Sequence, residues 1–366
     1  MHYCFITGFL RSGTTLLEKL VHALPGACIG PQPFPFLYYD TKRAFLRARG
    51  AGEERYPLGS LFREERYRPE DFQAFLRSHR LTPQATAASF AAMRGYSGWK
   101  LPALAAHAGQ AGEGSFAEVY RKLCERLPGI LGAEASRLLG AKEVFCEEFI
   151  PYFLAEGVSV LLVLRDVRDV LTSLKFGSGA AYANRDLPLL HIVRQWRKSV
   201  AFALELSGRP GFEAVRYEEL VARPRAWLDA LAGRWGMPAA APGAVEDLRD
   251  QEGREWQSNS SFAPARGVSR DSVGRFAEHL PAAWLAAVEW LCAPEMKVLG
   301  LRPAADPATD AWQDLVGGEE LDAERQRLRV IGDPRAPEAE QRRWCIFPGA
   351  YRRLGSDSGA GSSARM

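Results

Sequence analysis

Gly8-Phe9-Leu10-Arg11-Ser12-Gly13-Thr14-Thr15 follows a short apolar stretch, Met1–Gly8, and leads into an amphipathic one. The spacing is that of the phosphate-binding pattern G-x-x-x-x-G-K-[ST], with one departure: Thr14 stands where the lysine belongs. In nucleotide hydrolases that lysine reaches the β- and γ-phosphates, and the following hydroxyl holds Mg²⁺. A loop with the same backbone and no lysine still turns N–H groups and a helix N-terminus toward an anion. Arg11 supplies a cation inside the loop. The pattern therefore argues for an α/β fold that grips a terminal anion without a γ-phosphate or its metal.

A second stretch supports the first. Val158–Arg165 is apolar and partly β-branched, as buried parallel strands are, and continues as Asp166-Val167-Arg168-Asp169-Val170-Leu171-Thr172-Ser173. An arginine at a strand end offers a planar fork to a phosphate, and a serine on the next helix adds a hydroxyl to the same anion. The alternative for Arg165 is a pair with Asp169.

Arg11-Ser12-Gly13-Thr14-Thr15 resembles the 5′-phosphosulfate loop of sulfotransferases that use 3′-phosphoadenosine 5′-phosphosulfate (PAPS). Arg165 and Ser173 match the spacing with which that family holds the 3′-phosphate. Tyr217-Glu218-Glu219 resembles its tyrosine-acidic-acidic sequence, where the tyrosine lies near adenine. The polar stretch from Gln257 through Gly267–Phe276 is similar to the family's late loop, and places Ser269, Ser272 and Arg275 as anion partners. The resemblance implies a PAPS-dependent sulfotransferase with no metal. Arg11 and Lys142 are its catalytic cations, and Arg11, Ser12, Gly13, Thr14, Thr15, Arg165, Ser173, Tyr217, Ser269, Ser272 and Arg275 bind the cosubstrate. Lys142, after a short strand Leu138–Lys142, is where relatives put a lysine on the transferring group; the alternative is a surface lysine paired with Glu143 or Glu147. Trp99-Lys100-Leu101-Pro102 resembles a lysine-containing strand of cytosolic members, making Lys100 the next candidate.

The general base is open. Where membrane-anchored relatives have a glutamate, this chain offers Gln32, which cannot serve, and Asp40; His107, Glu143 and His191 complete the candidates. Two other readings stay beside the first. One is a P-loop nucleotide kinase with a degenerate loop, in which Arg168 and Arg11 act on ATP. The other is a nucleotide-binding module without catalysis.

The expected fold is a three-layer α/β domain, a P-loop-type parallel sheet with helices on both faces and a helical insertion after the first βα unit. The first helix is expected from about Ser12 to Leu24. The three prolines in Gly30–Tyr39 argue against helix there, and its aromatics line either the core or an acceptor pocket. Residues 1–302 form the sulfotransferase domain, with the insertion at about 41–140; 303–354 form an extension, and the Gly/Ser-rich 355–366 a flexible tail. Phe212–Tyr217 is expected as a strand. A net charge of +3 in 366 residues is too mild for nucleic-acid binding. The six cysteines, at 4, 28, 124, 146, 292 and 345, form no C-x-x-C pair. With the first motif so near Met1 and no apolar run of membrane-spanning length, the expectation is a cytoplasmic enzyme. Its acceptor is carbohydrate, lipid, peptide or a small metabolite.

Overall fold

The sheet has five strands, all parallel: β1 (His2–Gly8), β2 (Ala27–Pro31), β3 (Leu138–Lys142), β4 (Ser159–Leu164) and β5 (Phe212–Arg216), in the order β2-β3-β1-β4-β5. The computed structural model describes residues 1–50, 67–133, 135–178, 187, 189–263 and 265–304. Residues 51–66 of the expected insertion, nearly all of the expected extension and the whole tail lie outside the described residues.

Helices cover both faces. α1 (Thr14–His22) follows β1, and α2 (Pro35–Ala48), α3 (Pro69–Ser78), α4 (Pro83–Ala92), α5 (Phe116–Cys124) and α6 (Leu127–Leu131) lie between β2 and β3. α7 (Ile150–Ala155) leads to β4, and α8 (Val167–Lys175) and α9 (Leu189–Leu206) to β5. α10 (Tyr217–Ala222) and α11 (Pro224–Arg234) come next, and α12 (Phe276–His279), α13 (Ala282–Leu291) and α14 (Ala293–Val298) close the described chain. Leu17, Leu20 and Val21 of α1 pack with Leu220, Leu228 and Leu231 of α10 and α11 on one face. The larger core, on the other face, joins Phe5, Tyr38, Tyr120, Phe153 and Trp196. The fold class is thus a three-layer α/β sandwich.

Prolines account for most departures from expectation. Pro35, Pro69, Pro83 and Pro224 each occupy the first helical turn, where a missing N–H costs nothing and the fixed φ fits. The proline-rich Gly30–Tyr39 stretch is therefore the end of strand β2 and the start of α2, not a loop. Because β2 intervenes, the helical insertion sits between the second and third strands. The aromatics are core: Phe34 stacks on Tyr38, with ring centroids 5.9 Å apart, and Tyr38 meets Phe149 at 4.9 Å. Residues 99–101 form no strand. β5 stops at Arg216, and Tyr217 begins α10.

The far side of the sheet shows how this protein keeps charges buried. Lys42 reaches Glu148 at 3.0 Å, and Lys198 reaches Glu147 and Glu148 at 2.9 Å each, all essentially inaccessible to solvent. Buried ions persist when paired and hydrogen-bonded.

At the sheet centre, Cys4 of β1 lies opposite Gly140 of β3. A Cβ on Gly140 would fall 2.3 Å from the Cys4 carbonyl oxygen. Backbone on both sides cannot yield, so Gly140→Ala should lower stability by about 1–3 kcal/mol or more. Urea denaturation would show this as a lower midpoint at unchanged slope, and an unchanged midpoint would contradict it.

Candidate active site

Strand order positions the site. The chain runs from β1 out to β2 and back to β3 on one side, then crosses β1 to β4 and β5. In open parallel sheets, the crevice beyond the strand ends at such a switch is where ligands bind. Here the β1–α1 loop and the end of β4 flank it.

Tertiary packing shapes the loop. Gly13 adopts φ 100° and begins α1, while Arg11 adopts φ 63°. A Cβ on Gly13 would come within 2.3 Å of the Tyr217 ring, so only glycine lets that ring lie against the loop. No side chain caps α1, and its first turn holds no acidic residue. Its N-terminal end thus favours an anion.

An open cleft spans this region, lined about equally by polar and apolar surface. Arg11, Gly13, Thr14, Thr15, Arg165, Ser173, Tyr217, Ser269, Ser272 and Arg275 all border it. Residues far apart in sequence therefore converge. Arg11 Nε donates to Ser173 Oγ at 3.1 Å, across 162 positions. Arg165 Nη1 donates to the Arg11 carbonyl at 2.9 Å, and its guanidinium lies 4.7 Å from the centre of the Tyr217 ring. Tyr217 Oη and Ser272 Oγ are 2.6 Å apart, and Arg275 sits over Phe262 at 4.5 Å. Ser269 Oγ accepts from the Asp271 N–H at 3.1 Å.

Arg165 is 6% exposed, and its Nε lacks a hydrogen-bond partner. Nη2 donates to the Ser272 carbonyl, and Asp169 lies 4.0 Å away. The pair with Asp169 is therefore present, and the arginine borders the cleft as well. Arg11 Nη2 likewise donates to a carbonyl, that of Asn259.

Two expected residues lie elsewhere. Ser12 is buried outside the cleft, its N–H directed to the Phe9 carbonyl at 3.3 Å. Lys142 does not line the cleft either: its ammonium donates to Gln32 Oε1 at 2.7 Å beneath the end of β3. Nor is it a surface lysine. Burial pushes its ammonium down and the neighbouring Glu143 carboxyl up from their ordinary values. Glu143 Oε1 accepts from the Phe34 N–H at 3.1 Å.

None of the four base candidates borders the cleft. Asp40 pairs with Arg43 at 2.7 Å and accepts from Ser89 at 2.6 Å. His107 lies 3.3 Å from Gln110 on a short 3-10 helix. His191 is partly buried beside Phe145, with ring centroids 6.2 Å apart. Arg168 is engaged by Asp166 and Glu289, each at 2.6 Å, and by the Arg302 carbonyl at 2.9 Å. Asn259 and Ser261, within the polar stretch but not singled out there, also line the cleft, as does Trp256 just before it. Asn259 Nδ2 approaches Thr15 Oγ1 at 3.4 Å, and Ser261 Oγ lies 2.6 Å from Ser173 Oγ.

No family model matches the sequence, and no curated protein matches it. Solved structures similar to it include the sulfotransferase domain from the curacin biosynthetic pathway, at 15% identity over 86% of this chain and 96% of that one, TM-score 0.41. The sulfotransferase domain from the Synechococcus PCC 7002 olefin synthase matches at 17% identity over 87% and 95%, TM-score 0.36. Sulfotransferase STF1 from Mycobacterium tuberculosis H37Rv matches at 17% over 65% and 68%, TM-score 0.31. Likeness at this level leaves the chemistry to the cleft residues.

His191 has a consequence for stability. Burial, with help from Lys198 and Arg194, pushes its imidazole down to about 4 from 6.5. The unfolded chain takes up the proton first, so stability is intact above about pH 6.5 and falls as pH drops toward 4. The loss attributable to this group is about 3 kcal/mol. His191→Gln should flatten that part of the curve in urea denaturation series. An equal slope in both proteins would contradict it.

Proposed function

We propose that the protein is a sulfotransferase using PAPS, transferring its sulfuryl group to an acceptor hydroxyl or amine and releasing adenosine 3′,5′-bisphosphate. The observation that carries this reading is the convergence of Arg11, Arg165 and Ser173 on one cleft at the switch point of the sheet, with the Arg165 Nε unsatisfied.

The residues divide into two anion sites. Arg165 and Ser173 would hold the 3′-phosphate, and Tyr217 would border the adenine. Gly13, Thr14, Thr15 and Arg11 would hold the 5′ end, where charge builds on the leaving phosphate as the S–O bond breaks. Preorganised donors aimed at developing charge stabilise the transition state. With Lys142 turned to Gln32, Arg11 carries that task.

Arg168 disfavours the kinase reading, because Asp166 and Glu289 already hold the guanidinium it would lend to ATP. The non-catalytic module draws support from the location of Asp40, His107, Glu143 and His191 outside the cleft. A turnover assay separates it from an enzyme.

Adenosine 3′,5′-bisphosphate should raise the melting temperature, and ATP with Mg²⁺ should do so far less, since a ligand of the native state stabilises by mass action. Equal shifts, or a requirement for Mg²⁺, would overturn the assignment.

Two substitutions test the division. Arg165→Ala should weaken adenosine 3′,5′-bisphosphate by about tenfold or more, the worth of a charge-assisted hydrogen bond at roughly 1.5–3 kcal/mol. Binding of adenosine 5′-phosphosulfate, which lacks the 3′-phosphate, should hardly change. Arg11→Ala should cut single-turnover transfer by about a hundredfold or more, with a smaller effect on product affinity. Equal losses for both ligands in the first variant, or normal transfer by the second, would reassign these arginines.

A further inference from the structure

Beside the proposed phosphate site sits a carboxylate, Asp169, in the first turn of α8 and four residues after Arg165. It is 2% exposed and borders the cleft. A negative charge there works against a dianion, so its contacts call for a reason.

Both oxygens of Asp169 are occupied by backbone donors of one segment. Oδ2 accepts the Gly274 N–H at 2.8 Å, and Oδ1 accepts the Phe276 N–H at 3.0 Å. The same segment carries Ser272, whose carbonyl accepts from Arg165 and whose hydroxyl meets Tyr217. Asp169 therefore ties down the stretch that presents Ser272 to the cation and to the ring. Arg270 adds a second tie, donating to the carbonyls of Val221 and Ala222.

The two ends of this segment respond differently to an anion. The Ser272 carbonyl and a phosphate oxygen are both acceptors, so they compete for Arg165. The Gly274 and Phe276 N–H groups donate to a carboxylate fixed on α8, a charged acceptor already in place. The segment can yield at Ser272 while its root stays fixed.

We infer that Asp169 is a positioning residue: it anchors the root of the 272–276 segment, so that the segment stays beside a ligand held by Arg165. The inference rests on reading the cleft as an adenosine 3′,5′-bisphosphate site. It makes a prediction opposite in sign to simple electrostatics. Asp169→Asn keeps the shape, removes a negative charge beside the phosphate and leaves a single acceptor oxygen for two N–H groups. Charge alone would tighten binding; loss of the anchor loosens it.

The experiment has two parts. Without nucleotide, amide exchange at Gly274 and Phe276 should be slow in the wild type and about tenfold or more faster in Asp169→Asn, as for donors that lose a charged partner. With adenosine 3′,5′-bisphosphate, stopped-flow measurements should show dissociation about tenfold or more faster in the variant, at an association rate within about twofold, since most affinity changes reside in dissociation. In the wild type, nucleotide should slow exchange at Ser272 and Val273 but add little at Gly274 and Phe276. This last comparison needs no variant. Fast exchange at Gly274 and Phe276 in the wild type would overturn the anchor, as would unchanged exchange in Asp169→Asn or binding as tight as wild type. If the wild type binds no nucleotide, the proposed function falls, and exchange in the nucleotide-free proteins still decides whether Asp169 is the anchor.

Discussion

A guanidinium with almost no access to water, that of Arg165, organises the cleft. Burying an unpaired charge is costly, so its surroundings must satisfy it. Four separate pieces of the chain do so: the Arg11 carbonyl of the β1–α1 loop, the Ser272 carbonyl, the Tyr217 ring and Asp169. The Arg165 carbonyl, in turn, accepts from Trp196 Nε1 at 2.7 Å, which ties the strand end to α9 in the core. Moving any one piece exposes the charge or strands it, so loop, strand end and late segment are held in mutual register.

Charges away from the cleft are satisfied differently from those within it. On the far side of the sheet, Lys42, Lys198, Glu147 and Glu148 neutralise one another. In the cleft, Arg11 donates to the Ser173 hydroxyl and the Asn259 carbonyl, and Arg165 donates to the carbonyls of Arg11 and Ser272 with Asp169 4.0 Å away; a neutral acceptor satisfies a cation less fully than an anion does. A cation surrounded by carbonyls can exchange them for a phosphate; a cation locked to a carboxylate, such as Arg168, gains much less by doing so.

The loop itself depends on a neighbour it does not touch in sequence. Gly13 must be glycine both for its φ of 100° and because the Tyr217 ring lies where a Cβ would go. The ring that presses on the loop also faces Arg165 and meets Ser272. One aromatic side chain at the end of β5 therefore fixes the distance between the two proposed anion sites.

Much of this was legible in the chain. Gly8 to Thr15 between an apolar run and an amphipathic one specifies a strand, a glycine turn and a helix, because only that order satisfies the backbone at such spacing. Val158–Leu164, apolar but for Ser159, specifies a strand buried on both faces, and Leu138–Lys142 reads as a short strand. Strand β2 was not, because Pro31 and the prolines after it suppress local strand signals while tertiary pairing with β3 overrides them. The partners of Lys142 were not legible either. A lysine at a strand end carries no mark of which way its ammonium turns, and here Gln32 from β2 captures it. Nor does sequence place Asp169 on the N–H groups of Gly274 and Phe276, more than a hundred residues away. Periodicity and glycine spacing act over a few residues, so the sequence alone determined the loop and those elements whose signal is local. Strand order, and with it the meeting of Arg11, Arg165, Ser173 and Ser272, follows from how those elements bury their apolar faces together, and only the tertiary structure decided it.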